Sequence, residues 1–123
     1  MFNGLRTNIF KIKKADLKKA KDWYAKLLGK KPYFDEPFYI GFNVGGFELG
    51  LQPAEEKIVL GNNVEVYWGV KNIEKVFAQC LKVGAVEAMP ITNVGGDIKV
   101  ATIHDPFGNI FGLIENPGFV IEG

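Results

Sequence analysis

Two rhythms of apolar and polar residues run along this chain, and they occur twice in the same order. Asn8-Ile-Phe-Lys-Ile-Lys-Lys alternates with the period of a half-buried strand, whereas Leu17, Ala20, Tyr24, Leu27 and Leu28 fall on one helical stripe. Asp16 stands where an N-cap belongs, with Gly29 at C′ and Pro32 beyond, so the spacing predicts a helix over about residues 17 to 28. The alternation returns at Val64-Glu-Val-Tyr-Trp-Gly-Val. It is followed by Ile73, Val76, Phe77, Cys80 and Leu81 on a second helical stripe, with Asn72 as cap and Gly84 as stop. The two caps lie 56 residues apart and the two glycines 55. Further strands are expected near residues 39 to 44, 47 to 52, 98 to 104 and 109 to 115, with weaker ones near 33 to 35 and 86 to 89. Gly45-Gly46 and Asp105-Pro106-Phe107-Gly108-Asn109 read as hairpin turns. Val94-Gly-Gly reads as preceding its strand and so stands outside the repeat.

A period near 55 residues predicts two βαβββ units, about 1–53 and 64–123, with the irregular stretch 53–63 between them. Each unit is too small to bury its own apolar face. The expectation is one α+β domain over residues 1–123.

Composition narrows the class further. The chain is 47% hydrophobic and 24% charged, has no apolar run near the roughly 20 residues of a membrane helix, and starts without the apolar stretch of a secretory signal. A cytoplasmic location is expected. The one cysteine, Cys80, lies on the second helix's apolar stripe and is expected to pack as a small hydrophobe. Net charge is +1, yet residues 1 to 31 carry Arg6 and nine lysines against Asp16 and Asp22. Lys18, Lys19 and Lys26 fall opposite the apolar stripe, so a solvated face is expected. No aromatic-interleaved basic patch points to nucleic acid.

Alternation also assigns faces, because successive strand residues point to opposite sides. Phe10 and Ile12 should meet the first helix, leaving Thr7, Ile9 and Lys11 on the other face. Phe47, Leu49 and Leu51 separate in the same way from Glu48, Gly50 and Gln52. Val64, Val66, Trp68 and Val70 separate from Glu65, Tyr67 and Gly69, and Phe111 and Leu113 from Ile110, Gly112 and Ile114. Two carboxylates, Glu48 and Glu65, are thereby placed away from the helices.

Three stretches together carry a resemblance that covers nearly the whole chain: Asp16-Leu17…Ala20…Trp23-Tyr24…Leu27-Leu28-Gly29, then Tyr67-Trp68-Gly-Val…Gly84-Ala85, then Ala101-Thr-Ile-His-Asp-Pro-Phe-Gly-Asn-Ile-Phe-Gly-Leu-Ile-Glu. The chain resembles the glyoxalase, bleomycin-resistance and extradiol-dioxygenase proteins, the vicinal oxygen chelate superfamily. That resemblance implies paired βαβββ modules curled as a mixed sheet around a cavity, usually in a homodimer. In the metal-dependent members four strand positions, typically two His and two Glu, hold a divalent ion. Their counterparts here are Ile9, Glu48, Glu65 and Gly112, so half of the set has no donor. The sole histidine, His104, is at none of the four. Divalent catalytic sites generally need three protein ligands, usually including imidazole.

The expected function is therefore the binding of a small organic ligand in a metal-free cavity lined by Ile9, Glu48, Glu65, Tyr67 and Gly112. The alternative is a divalent-metal lyase or isomerase of the lactoylglutathione-lyase kind, with Glu48 and Glu65 as its catalytic carboxylates. A third reading gives both glutamates no role beyond pairing with lysines such as Lys11. No cofactor, nucleic acid or membrane is expected as a partner. Trp68 belongs to the core by parity, Tyr67 suits ligand contact, and Phe34, Phe38, Tyr39 and Phe42 divide between core and lid. If Gly112 faces open cavity, Gly112→Trp should fill it without unfolding the chain.

Overall fold

The computed structural model describes residues 2–55 and 57–121; the outer bounds expected for the modules, residues 1 and 123, lie outside these. In order, the elements are β1 (Thr7–Lys13), a 3-10 turn (Lys14–Asp16), α1 (Leu17–Leu28), β2 (Phe34–Glu36), β3 (Tyr39–Val44) and β4 (Phe47–Ala54). Then follow β5 (Tyr67–Gly69), α2 (Ile73–Lys82), β6 (Val86–Gly95), β7 (Ile98–His104) and β8 (Ile110–Glu115). Two compact units divide between Val59 and Leu60. Each is βαβββ, and each has its own four-stranded mixed sheet, ordered β1-β4-β3-β2 in the first and β5-β8-β7-β6 in the second. The leading strand of each module pairs in parallel with the last, and the other pairs are antiparallel. The repeat read from caps and glycines is thus a repeat of topology.

In the first unit α1 packs on β1 and β4. Ala20 and Tyr24 are buried there with Ile12, Leu49 and Leu51, which alternation turns toward the helix, and with Ile40 and Phe42 of β3. A side chain such as Leu49, wholly removed from water, contributes about 1.5–3 kcal/mol. The second unit repeats the arrangement with Ile73, Phe77 and Cys80 of α2 against Ala101, Ile103, Phe111 and Leu113. Trp68 stacks on Phe111 with ring centroids 6.1 Å apart, on the core side as its parity requires.

Helix ends differ between the modules. Asn72 caps α2 through its side chain, which accepts from the Lys75 N–H at 3.0 Å, and the Glu115 carboxylate accepts from the Ile73 N–H at 3.0 Å. Asp16 makes no side-chain cap bond. The chain enters α1 through the 3-10 turn at Lys14–Asp16, leaving Asp16 at φ −102° and ψ 0° instead of the extended geometry of a side-chain cap. Gly29 closes α1 in the left-handed region at φ 68°. On the outer face of α1, Lys18 pairs with Asp22 at 3.0 Å and Lys21 with Asp35 at 3.2 Å, both with solvent-accessible side chains. Such pairs contribute at most about 1 kcal/mol each.

Four boundaries differ from the sequence expectation. The strand expected from Val64 is confined to Tyr67–Gly69, where parallel pairing with β8 begins at Tyr67 and Gly112. β6 extends well past residue 89 to Gly95, as an exposed edge strand with register shifts and Pro90 within it. Val94-Gly-Gly therefore does join two strands, β6 and β7, but it still stands outside the repeat, because the counterpart of the Gly45-Gly46 hairpin between β3 and β4 is the Asp105–Asn109 turn between β7 and β8. Pro53 and Ala54 belong to β4, not to the connecting stretch, since β1 continues beside them to Lys13. Among the described residues no helix is long and apolar enough to cross a membrane.

Candidate functional site

On the face of the first sheet turned away from α1, two glycines are direct partners across β3 and β4, Gly41 and Gly50. A Cβ on Gly50 would fall on the Tyr39 hydroxyl. One on Gly41 would meet the Tyr33 ring at 3.1 Å and the Glu48 Oε2 at 3.0 Å. The missing side chains leave room for two phenol rings over the sheet, and both hydroxyls reach the same carboxylate. Tyr39 donates to Glu48 Oε1 at 2.7 Å, and Tyr33 donates to Glu48 Oε2.

Those bonds set the protonation states. The Tyr33 and Tyr39 hydroxyls hold Glu48 below the ordinary carboxylate range against the opposing effect of burial. The Tyr33 phenol is raised chiefly by its bond to Glu48, and that of Tyr39 first by burial and then by Glu48. Among the described residues no lysine or arginine forms an ion pair with Glu48. Lys11, on the same face, donates to the Gln52 side chain instead. The unpaired charge is edged by aromatic rings: Phe34 lies 6.1 Å from Tyr39 and 5.8 Å from Phe38, centroid to centroid. Phe42, by contrast, is entirely in the core.

The second unit has a smaller version. Tyr67 lies opposite Gly112 across β5 and β8, and its hydroxyl donates to Glu65 at 3.0 Å. Burial, then the Glu65 bond, raises the Tyr67 phenol. Glu65 itself precedes the strand and is exposed. Gly112 does not face open space. A Cβ there would stand 2.5 Å from the Val66 carbonyl oxygen and 2.7 Å from Tyr67 Cδ1, so Gly112→Trp has nowhere to go without moving β5.

Strand register revises the correspondence between modules. Gly50 lies beside Ile9 and Glu48 beside Thr7. Counted from each hairpin on the same face, Gly50 is the counterpart of Gly112, and Glu48 that of Ile110. The expected equivalence of Glu48 with Gly112 is thus two residues out of step. Ile9 is 45% exposed on the expected face. His104 pairs with Ile110 at the end of β7 and is half-buried. Cys80 is fully buried, and desolvation pushes its thiol up to about 11. Tyr33 is the member of the site that sequence reasoning missed. It lies outside any strand, and the one signal for it is Gly41, a glycine in a strand interior, which marks a close approach by another group.

As a metal centre the expected set does not fit. Ile9 and Gly112 offer no donor, Gly50 takes the place assigned to Glu48, and each glutamate already accepts from a phenol. Among the described residues no group of three or more His, Cys, Asp or Glu is placed to hold an ion.

Known structures carry the same arrangement of modules. A glyoxalase-related enzyme from Fulvimarina pelagi superposes with a TM-score of 0.78 at 17% identity, covering 98% of this chain and 94% of its own. The chain has the glyoxalase and bleomycin-resistance fold. A glyoxalase/bleomycin resistance protein from Albidiferax ferrireducens matches this fold with a TM-score of 0.75 at 16% identity, over 92% of this chain and 98% of that one. The fosfomycin resistance protein FosX from Listeria monocytogenes does so at 0.76 and 13%, over 96% and 97%. No family model and no curated protein sequence matches the chain. At these identities the glyoxalase fold is what is shared, and activity has to be argued from this chain's own side chains.

Proposed function

We propose that this chain is a single-domain member of the glyoxalase and bleomycin-resistance superfamily that binds a small organic ligand without a metal ion, as a homodimer. The observation that carries this reading is Glu48 held by Tyr33 and Tyr39 over Gly41 and Gly50. It is one directed carboxylate bordered by aromatic rings, and apolar area with a few placed polar groups is the composition by which ligand sites gain both affinity and orientation. The same bonds argue against the catalytic alternative. A general base works best with a pKa near the working pH, and Glu48 is shifted the other way. A metal-dependent lyase or isomerase would also need Glu48 and Glu65 released from their phenols and two further donors supplied.

The test is elemental mass spectrometry of the purified protein, with thermal-shift titrations of Mn²⁺, Ni²⁺ and Zn²⁺ and a small-molecule library screened with and without chelator. Ligand-induced stabilisation that chelator leaves unchanged is the expected result. A near-stoichiometric ion lost in the Glu48→Gln/Glu65→Gln variant would overturn the proposal in favour of a metal-dependent lyase or isomerase.

A further inference from the structure

Three features of the first sheet's open face converge on one class of ligand. Glu48 carries a negative charge that no cation of the described chain neutralises. Lys11 of β1 donates to the Gln52 side chain and Lys30 to the carbonyl of Asn43, the cross-strand partner of Glu48, and neither forms an ion pair with the carboxylate. Around the carboxylate stand the rings of Tyr33, Tyr39 and Phe34. Tyr33 is 63% exposed, so its ring is available to an incoming molecule.

Each part has its own selectivity. Aromatic faces are negative at their centres and attract cations, and a carboxylate favours them further, whereas an anion meets repulsion from both. The phenol hydrogens occupy one position on each carboxylate oxygen, the Thr7 hydroxyl beside them is a further partner, and a carboxylate's roughly four acceptor positions still leave room for an incoming donor. Those hydrogens also fix the carboxylate in place, which lowers the ordering cost of binding. A bare metal ion would seek several oxygen ligands and finds one carboxylate. An ammonium group on an organic body needs one carboxylate and several ring faces.

We infer that the face formed by Tyr33, Phe34, Tyr39 and Glu48 is a binding site for an organic cation, an ammonium group carried on an apolar or aromatic body. This rests on the ligand-binding reading above and names its chemistry. The charge is read by Glu48 and the body by the rings.

The experiment is isothermal titration calorimetry of the full chain with three probes of similar size: benzyltrimethylammonium, benzyl alcohol and phenylacetate. The cation should bind at least about tenfold more tightly than either of the others. Glu48→Gln, which keeps the shape and removes the charge, should lower its affinity by about tenfold and abolish the preference over benzyl alcohol. Tyr33→Leu, at an exposed position whose loss leaves the core intact, should weaken the cation about three- to fivefold and leave benzyl alcohol nearly unchanged. Equal affinity for cation and alcohol, or a Glu48→Gln variant that still prefers the cation, would refute the inference. Binding of the neutral or anionic probe alone would refute it while leaving the ligand-binding reading in place. Absence of binding by all three probes and by every library compound would sink both.

Discussion

Gly50→Ala and Gly112→Ala add the same methyl group at equivalent positions of the two modules, yet they should differ in cost. Neither glycine has a positive φ, so alanine is strained by space and not by backbone conformation. At Gly112 the new Cβ would stand 2.5 Å from a backbone oxygen, that of Val66, which also accepts the Gly112 N–H at 3.0 Å. Backbone in a paired strand has little room to yield. The cost should fall in the upper part of the usual range for overpacking, about 2–3 kcal/mol. At Gly50 the Cβ meets the hydroxyl end of Tyr39, which can swing away. What is lost is mainly one part-buried hydrogen bond to Glu48, about 1 kcal/mol, offset by about 0.5 kcal/mol from restricting the unfolded chain. Urea denaturation followed by circular dichroism measures both. In thermal melts the two should separate by roughly 8 °C for a chain of this size. Removing the obstructing ring supplies the decisive control. In a Tyr39→Leu background Gly50→Ala should become neutral or stabilising. Equal costs at the two glycines, or a Gly50 cost that persists without Tyr39, would refute this account of why glycine stands there.

Two other outcomes follow from bonds already described. Glu48 has its pKa lowered in the folded chain, so its contribution to stability is present above its unfolded pKa and is lost as pH falls through the folded one; Glu48→Gln should therefore narrow its stability gap to the parent as pH drops below about 4.5, read from urea midpoints across the acid range. A gap independent of pH would mean the phenol bonds do not act on the charge. Asn72→Ala should cost about 1 kcal/mol through its lost cap bond, whereas Asp16→Ala should stay within about 0.5 kcal/mol, as measured by denaturant unfolding.

Much of the fold was legible because two periodicities and two glycine stops suffice to mark a module and its copy. The helices, the hairpin at Gly45-Gly46 and the facing of Leu49, Leu51, Phe111 and Leu113 all follow from burial on one side. Where burial is absent the signal disappears. β6 is exposed along nearly its whole length and carries Pro90, tolerable only because an edge strand leaves some of its N–H groups unpaired, so it presents no alternation and its sequence marks a strand only near residues 86 to 89. The site was legible in part for a related reason. Parity placed Glu48 on the correct face, but its partner Tyr33 reaches it over Gly41 from outside any strand, a contact between residues 15 apart that no local pattern encodes. Register between modules was equally hidden, because Glu48 and Gly50 share a face and alternation cannot tell one from the other.

The irregularity of β6 also bears on how the protein behaves in a crowded solution. Ten residues of exposed edge, with Val86 and Val94 open to solvent, would otherwise be a template onto which a neighbouring chain adds its own strand. Three register shifts against β7 and a proline within the run break the even row of donors and acceptors that such templating needs. The second sheet thereby ends in a border whose irregular pairing makes it a poor template for the addition of a further strand.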